Sequence, residues 1–306
     1  MKEDANDQTR IYVRCYVERE TIYLKWVYFD ICGFMARLMN EIMIKGKFGR
    51  DCLKVRYNPG RQSYEHKANE LIELKWNEFL ALNPKSYNGP LFRVNKWSYF
   101  NSRDGLKKIE LHLTDTNYKE FVGTRNPEFI ATFGKEQISN PLSAGAVLIT
   151  EDNKLILGRR SSSIDGSKYA LSVIAGYLDP QKDILRIHNK DDSDYVDIVD
   201  IFHGIEREIY EETGIAAYDV VELVCLGIIA NRKQNQMNIP FCGTLIISSD
   251  EVVTKRSKTQ DSEFSELLFV QNDLRSINEF INAQSNEFSD LLTSTLGIYS
   301  DVTCIL

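Results

Sequence analysis

Hydrophobic and polar positions follow two different patterns in the first half of the chain. Residues 11–35 alternate β-branched and aromatic residues with polar ones, which predicts two strands. Residues 66–82 instead place apolar side chains at helical spacing and end at the turn-forming segment NPKSYNGP, so they predict a helix. The segments LFRVNKWSYF and KKIELHLTD then predict a pair of strands. The first half is therefore expected to be an α+β unit.

The second half begins with a hairpin and then mixes strands and helices. AGAVLITEDNKLILGRRS predicts two strands joined at Asp152-Asn153, and YALSVIAGYLDP predicts a buried strand that breaks at Gly176 and Pro180. Residues 181–194 are charged and predict a solvent-exposed insertion. A helix is predicted from about Tyr195 to Thr213, with Val199 in its apolar stripe; further strands and a last helix are predicted in VVELVCLGIIA, IPFCGTLIIS, ELLFV and FSDLLTSTLGIY. Because no regular βαβ rhythm emerges, we predict a mixed sheet with helices on both faces.

A domain boundary is predicted within EQISNPLSAG, where Pro141 and Gly145 precede a new hydrophobic run. A chain of 306 residues exceeds one typical core, so one large or two modest domains are expected. We therefore divide the chain into an N-terminal α+β domain, residues 1–140, and a second domain, residues 141–306.

The end of the predicted helix carries acidic residues that local electrostatics disfavours. Glu208, Glu211 and Glu212 occupy its last turns, just ahead of Gly214, which suits a left-handed C-terminal cap. Acidic side chains at this end of a helix cost about 0.3–1 kcal/mol each, and each pair at spacing three or four costs about 0.2–0.5 kcal/mol. A divalent cation such as Mg²⁺ would turn these repulsions into attractions, since it takes carboxylate oxygens together with substrate phosphates. A solvated acidic face is the alternative.

Residues 207–215, REIYEETGI, resemble the second half of the Nudix box, R-E-U-x-E-E-x-G-U, where U is a bulky aliphatic residue. The resemblance implies an α/β/α sandwich with a mixed sheet. It implies Mg²⁺, with Mn²⁺ as the alternative, held against a diphosphate, and water as the nucleophile. By position, Glu208 and Glu212 are the implied main metal ligands and Glu211 a third. Arg207 is implied to pair with a carboxylate of the site, with an ordinary surface pair as the alternative.

The first half of the box departs from the family pattern. The family places a glycine 14 positions before the arginine and a glutamate between them, whereas Gly176 lies 31 positions before Arg207. This spacing implies an insertion of about 17 residues inside the box. Counted back from the arginine, Val199 takes the position of the glutamate, and Asp197 and Asp200 are the neighbouring acids that could replace it.

The insertion and several flanking segments resemble the uridine-diphosphate-glucose pyrophosphatase branch. These segments cover most of Leu53 to Tyr299: NPKSYNGPLFRV, LHLTDTNYKEFVGT, NPLSAGAVLIT, LGRRSSS, LGIIANR and EFSELLFV. The resemblance implies metal-dependent hydrolysis of UDP-glucose or UDP-galactose to UMP and sugar 1-phosphate. The alternatives are hydrolysis of ADP-ribose or another nucleoside diphosphate derivative, and a Nudix-fold binding protein without catalysis.

Further candidates for the site lie outside the helix. Glu263 best matches a later-loop glutamate that acts as base or ligand in many Nudix enzymes, with Glu266 as its rival and a solvated loop acid as the alternative for either. Arg159 and Arg160 end a strand, where alternation lets one of them grip a phosphate. The remaining candidates for substrate binding are Gly176, Asn231 and Arg232, the last two with turn capping as their alternative.

Composition and charge narrow the class of protein. The chain has 44 acidic and 37 basic residues, a net charge of −7, which disfavours a nucleic-acid partner, RNA caps included. The N-terminus lacks the apolar core of a signal peptide, and charges interrupt the most apolar early stretch, so we expect no membrane partner and a cytoplasmic location. The six cysteines form no CxxC pair, which disfavours zinc and a disulfide framework. We expect a monomer or homodimer whose partner is a nucleoside diphosphate sugar.

Overall fold

The computed structural model describes residues 40–102, 105–161, 169–188, 195–232, 235–258, 263–284 and 288–303. The two strands predicted within residues 11–35 lie outside these ranges. The strands are β1 Asn40–Phe48, β2 Leu53–Arg61, β3 Pro90–Asn101, β4 Lys107–Asn117, β5 Leu142–Ile149, β6 Lys154–Arg160, β7 Leu171–Ser172, β8 Ile174–Tyr177, β9 Ile184–His188, β10 Tyr195–Val199, β11 Val220–Asn231, β12 Gln236–Leu245 and β13 Phe264–Gln271. The α-helices are α1 His66–Leu82, α2 Tyr118–Thr124, α3 Pro127–Phe133, α4 Ile201–Thr213, α5 Ser249–Arg256, α6 Leu274–Gln284 and α7 Asp290–Thr303.

A three-stranded sheet and three helices make up most of the described N-terminal part. The strand order is β2–β4–β3, with β2 parallel and β3 antiparallel to β4. The predicted strand pair is thus found, and α1 has the predicted bounds because its apolar face, which includes Ile72 and Trp76, is buried.

An eight-stranded sheet organises the rest of the described chain. Its main order is β1–β11–β12–β5–β6–β13, with β8 paired to β5 and β7 to β6. The pairing of β12 with β5 is parallel and the other pairings are antiparallel, so the sheet is mixed, as predicted. The predicted hairpin is also found: β5 and β6 pair next to Asn153, whose φ is +57°.

Helices cover both faces of this sheet. Along β5, Ala146 packs into the cluster that contains Ile205 of α4, whereas its neighbour Val147 packs into the cluster that contains Leu296 of α7. Alternation along the strand therefore serves two cores, one on each face. The predicted α/β/α arrangement with a mixed sheet is confirmed. Among the described residues, no helix combines the length and apolar character that a membrane span requires.

The prediction that a helix begins near Tyr195 is wrong, because α4 begins at Ile201. Residues 195–199 form β10, which pairs with β9 in a separate two-stranded sheet. Val199 is buried, as predicted for the apolar stripe, but it belongs to this strand and not to the helix. The prediction of a solvent-exposed insertion at 181–194 is wrong in part, because Asp183 is fully buried and Ile184 packs against the core. Gln181 and Lys182 are exposed, residues 184–188 form β9, and residues 189–194 lie outside the described ranges.

The hydrophobic core crosses the predicted domain boundary at residue 140. Strand β1 pairs antiparallel with β11 and so extends the large sheet from the N-terminal side. One core cluster joins Phe92 and Leu111 of the three-stranded sheet with Ile205 of α4. The backbone NH of Phe92 also donates to the carbonyl of Leu178, at 3.2 Å. The division into two domains remains a prediction, and the two parts share one interior.

Candidate functional site

Helix α4 places two carboxylates in a buried position. Ile205 and Ile209 anchor the helix on the sheet, and Glu208 and Glu212 lie beside them with only 8% and 6% of their surface exposed. Gly214 ends the helix in the left-handed conformation, with φ +73°, as its position predicts. The solvated-face interpretation therefore does not describe Glu208 and Glu212.

Arg207 is the centre of the charged cluster. Its Nε and Nη2 donate to the two carboxylate oxygens of Asp183, each at 2.8 Å. Its Nη1 donates to Oε1 of Glu208 at 2.8 Å and to Oε2 of Glu211 at 2.9 Å. Burial alone lowers the pKa of Arg207, but the hydrogen bonds to Asp183 and the nearby carboxylates outweigh it and raise the pKa overall. The guanidinium thus holds three carboxylates in a fixed arrangement.

Asp183 belongs to the site but is not among the residues predicted from the sequence. This side chain is fully buried, and its Oδ2 also accepts from the backbone NH of Asp179 at 2.8 Å. The neighbouring acids considered earlier lie elsewhere: Asp200 caps α4 and pairs with Arg50, and Asp197 is exposed on β10. The available signal was the spacing counted forward from Gly176, which reaches Lys182 and then Asp183. The insertion lies after this acid, as the hairpin β9–β10.

Gly176 leaves the space that the carboxylate of Glu208 occupies. A Cβ at this position would lie 2.1 Å from both Cδ and Oε2 of Glu208. Any larger residue on this part of β8 would therefore displace the carboxylate. The structure places Gly176 against a candidate metal ligand, which is a different role from direct contact with substrate.

The ionised form of Glu208 is unfavourable where it is buried near other acids, and a cation beside it would stabilise that form. Burial raises the pKa of this carboxyl group to about 8, the positive charge of Arg207 opposes this rise, and Glu211 and Glu263 add to it. Glu208 and Glu212 are two buried carboxylates, and Mg²⁺ and Mn²⁺ prefer carboxylate oxygens as ligands. The donor set therefore fits a divalent cation. Within the described ranges, however, no three acidic, histidine or cysteine side chains already converge as a metal cluster.

Strands β6 and β13 bring a second charged pair to Glu212. The backbone NH of Glu263 donates to Oε2 of Glu212 at 2.9 Å, and Nη2 of Arg160 lies 3.4 Å from Oε2 of Glu263. Arg159 instead pairs with Glu266, at 3.4 Å. Alternation along the strand thus turns Arg160 toward the carboxylates of α4, while Arg159 and Glu266 pair with each other.

The two other candidates lie at the end of β11. Asn231 is buried opposite Asn40 and Gln236, on the sheet face that α7 covers, whereas α4 covers the other face. Arg232 is exposed and donates to Oε2 of Glu41 at 2.6 and 3.0 Å. The structure therefore does not bring these two residues into the charged cluster around Arg207.

Comparisons with known proteins point to one superfamily. No family model matches the chain. The chain is 25% identical over 200 residues to the mouse (Mus musculus) protein named uridine diphosphate glucose pyrophosphatase NUDT22, covering 60% of this chain and 64% of the relative. It is 26% identical over 183 residues to Nudix hydrolase 9 of Arabidopsis thaliana, covering 54% of this chain and 58% of the relative. A Nudix hydrolase structure from Nitrosomonas europaea aligns with 53% of this chain and 89% of its own, at 18% identity and a TM-score of 0.35.

The matched region thus spans less than two thirds of the length of these curated relatives. Within it, the chain is similar to Nudix hydrolases, and the resemblance read from the helix motif is confirmed. The similarity to a protein named as a UDP-glucose pyrophosphatase agrees with the branch suggested by the flanking segments.

Proposed function

We propose that this protein is a divalent-metal-dependent pyrophosphohydrolase that cleaves UDP-glucose or UDP-galactose to UMP and sugar 1-phosphate. One observation carries the reaction class: Arg207 fixes Asp183 and Glu208, whose carboxylate lies against Gly176, and a second buried carboxylate, Glu212, follows one helical turn later. The name of the mouse relative supports the substrate. A cytoplasmic location and a monomeric or dimeric state are part of the proposal and are expected from sequence alone.

In this proposal Glu208 and Glu212 would hold Mg²⁺ or Mn²⁺, and Glu211 would be a third ligand. When bound, the metal supplies charge neutralisation of the diphosphate and a more acidic bound water. Arg207 keeps the carboxylate of Glu208 oriented through the bond at 2.8 Å. Beside the cluster lie Arg160, whose guanidinium suits a phosphate oxygen, and Glu263, the proposed base or further ligand, whose Oε2 is 3.4 Å from Nη2 of Arg160.

The test measures UMP release from UDP-glucose with and without Mg²⁺. We expect metal-dependent turnover by the wild type and, for Glu212→Gln, a loss of at least about 100-fold, because outer-shell changes alone typically cost 10–100-fold. Glu222→Gln, which removes an exposed carboxylate from β11, is the matched control and should keep wild-type activity. A melting curve for each variant verifies that it is folded.

The outcomes separate the alternatives. Cleavage of ADP-ribose with UDP-glucose left intact would keep the reaction class and reject the substrate. Absence of turnover on either compound by the folded wild type would reject the proposed enzyme and favour a binding protein. Full activity of Glu212→Gln would reject Glu212 as a metal ligand.

A further inference from the structure

A lysine in the loop after β8 contacts the charged cluster around Arg207. Nζ of Lys182 donates to Oε1 of Glu211 at 3.2 Å. Counted forward from Gly176, Lys182 also takes the position that the family pattern gives to a glutamate. A positive side chain therefore stands beside the proposed metal ligands, at a position where the pattern calls for a negative one.

Hydrogen bonds fix the loop that carries Lys182. The backbone NH groups of Lys182 and Asp183 donate to the carbonyl of Asp179, at 3.0 and 2.8 Å. Oδ1 of Asp179 accepts from the backbone NH of Gln181 at 2.8 Å. Because Arg207 grips the carboxylate of Asp183, the loop is also tied to α4. The backbone of Lys182 thus has a defined place beside the site.

The side chain of Lys182, in contrast, is held only loosely. It is 50% exposed, and its partner Glu211 is 42% exposed. Ion pairs between exposed side chains contribute little to stability, since water screens them and holding two long side chains costs entropy. The amine of Lys182 can therefore leave Glu211 at low cost when a stronger partner is present.

A divalent cation at Glu211 would supply the reason to leave. Oε2 of Glu211 already accepts from Arg207 at 2.9 Å, and Oε1 accepts from Lys182. A cation that binds this carboxylate would repel the amine at close range. Mg²⁺ usually shares its carboxylates with substrate phosphates, so a phosphate oxygen would lie close to the position that the amine leaves. A lysine side chain is long and carries three donors, which suits this contact.

Lys182 and Arg160 approach adjacent residues of α4 from two different elements. Lys182 contacts Glu211 from the loop after β8. Arg160, at the end of β6, lies 3.4 Å from Glu263, whose backbone NH donates to Glu212 at 2.9 Å. A diphosphate has two phosphate groups, and this arrangement offers a cationic side chain for each of them.

We propose that Lys182 binds a phosphate group of the diphosphate substrate and leaves Glu211 when the divalent cation binds. Lys182 thus competes with the cation for Glu211 and cooperates with it toward the substrate. This inference rests on the proposed function, because the metal-bound diphosphate supplies the phosphate group that Lys182 contacts.

Two binding measurements on the full chain test the inference. Mn²⁺ binding is followed by loss of the free-ion electron paramagnetic resonance signal. Binding of methylenediphosphonate, a diphosphate analogue whose bridge water cannot cleave, is followed by calorimetry at saturating Mg²⁺. Lys182→Met keeps a similar length and removes the charge. We expect it to bind Mn²⁺ about threefold more tightly, because the competing charge is gone, and the analogue about tenfold more weakly, because a charged hydrogen bond is lost.

Two further variants are the controls. Lys182→Arg keeps the positive charge and should stay within about threefold of the wild type in both measurements. Lys85→Met removes an exposed lysine from the loop after α1 and should behave like the wild type. A melting curve for each variant verifies that it is folded.

The opposite signs of the two expected changes separate substrate binding from a structural role. Unchanged affinity for methylenediphosphonate in folded Lys182→Met would overturn the inference. Weaker Mn²⁺ binding would also overturn it, since Lys182 would then support the shape of the cluster instead of competing with the cation.

The UMP-release assay separates this result from the proposed function. If the wild type leaves UDP-glucose intact while Lys182→Met shows both expected changes, the proposed function fails and the role of Lys182 stands for another diphosphate. If the wild type hydrolyses UDP-glucose and Lys182→Met keeps both its KM and its affinity for the analogue, the inference alone fails.

Discussion

Asp183 shows how one residue takes over a position that the insertion has displaced. The family pattern leads from Arg207 back to Val199, but the hairpin β9–β10 separates α4 from the acid that the arginine contacts. The bidentate geometry, with two distances of 2.8 Å, needs only a carboxylate at the end of the loop after β8. The role is therefore defined by the position of the acid in space, and counting back from Arg207 misses it.

Asp183→Asn should reduce both stability and turnover. Removing one partner of a buried pair typically costs 3–5 kcal/mol, and we expect about 3 kcal/mol here because Glu208 and Glu211 keep part of the charge balance. Since Arg207 orients Glu208, kcat for UDP-glucose should fall about 10–100-fold. Urea unfolding and steady-state kinetics measure the two effects, and Asp197→Asn, an exposed acid on β10, is the control. Wild-type kcat in folded Asp183→Asn would show that the pair has no part in positioning.

Gly176→Ala should disturb the site while leaving the fold intact. Its backbone does not need the left-handed conformation, but the added methyl group would lie 2.1 Å from the carboxylate of Glu208. We expect the rise in melting temperature that saturating Mg²⁺ gives the wild type to be largely lost. Gly297→Ala is the matched control, since a Cβ there meets nothing within 4 Å. An unchanged Mg²⁺ response in Gly176→Ala would contradict the assignment of Glu208 as a ligand.

At the scale of elements, the sequence pattern predicted correctly those helices and hairpins that are determined by residues close together in the chain. Helix α1 and the hairpin β5–β6 follow from spacing and turn residues alone. The apolar positions of residues 195–199 are also compatible with a helix. These residues form a strand because they pair with β9. The same distinction holds for the site: residues 207–212 lie on one helix and were found together, whereas Asp183 joins them only through the fold.

The corrected start of α4 makes Asp200 a helix cap. Its Oδ1 accepts from the backbone NH of Phe202 at 2.9 Å and of His203 at 3.4 Å. Asp200→Ala should therefore lower the free energy of unfolding by about 1 kcal/mol, the usual loss for an N-cap, to which the lost ion pair with the exposed Arg50 adds at most about 1 kcal/mol. Asp197→Ala is the control, because it removes a carboxylate three residues earlier that caps no helix. We expect no measurable change in its urea unfolding. Equal losses in the two variants would argue against the helix start at Ile201.

At the scale of the molecule, one interior serves both sides of residue 140. The N-terminal part supplies β1 to the edge of β11 and Phe92 and Leu111 to the cluster beneath α4. A fragment of residues 141–306 would expose this apolar surface and the unpaired edge of β11. Each large side chain that is no longer buried lowers the stability of the fold by about 1.5–3 kcal/mol.

We therefore expect the fragment 141–306 to aggregate or to unfold without a cooperative transition, while the full chain shows one. Circular dichroism melting and size-exclusion chromatography compare the two. In the full chain, Phe92→Ala should cost about 3–5 kcal/mol, because Phe92 is fully buried where the two parts meet. Phe100→Ala, at an exposed phenylalanine on the same strand, is the control. A monomeric fragment with a sharp melting transition, together with a near-neutral Phe92→Ala, would show that residues 141–306 fold as an independent domain.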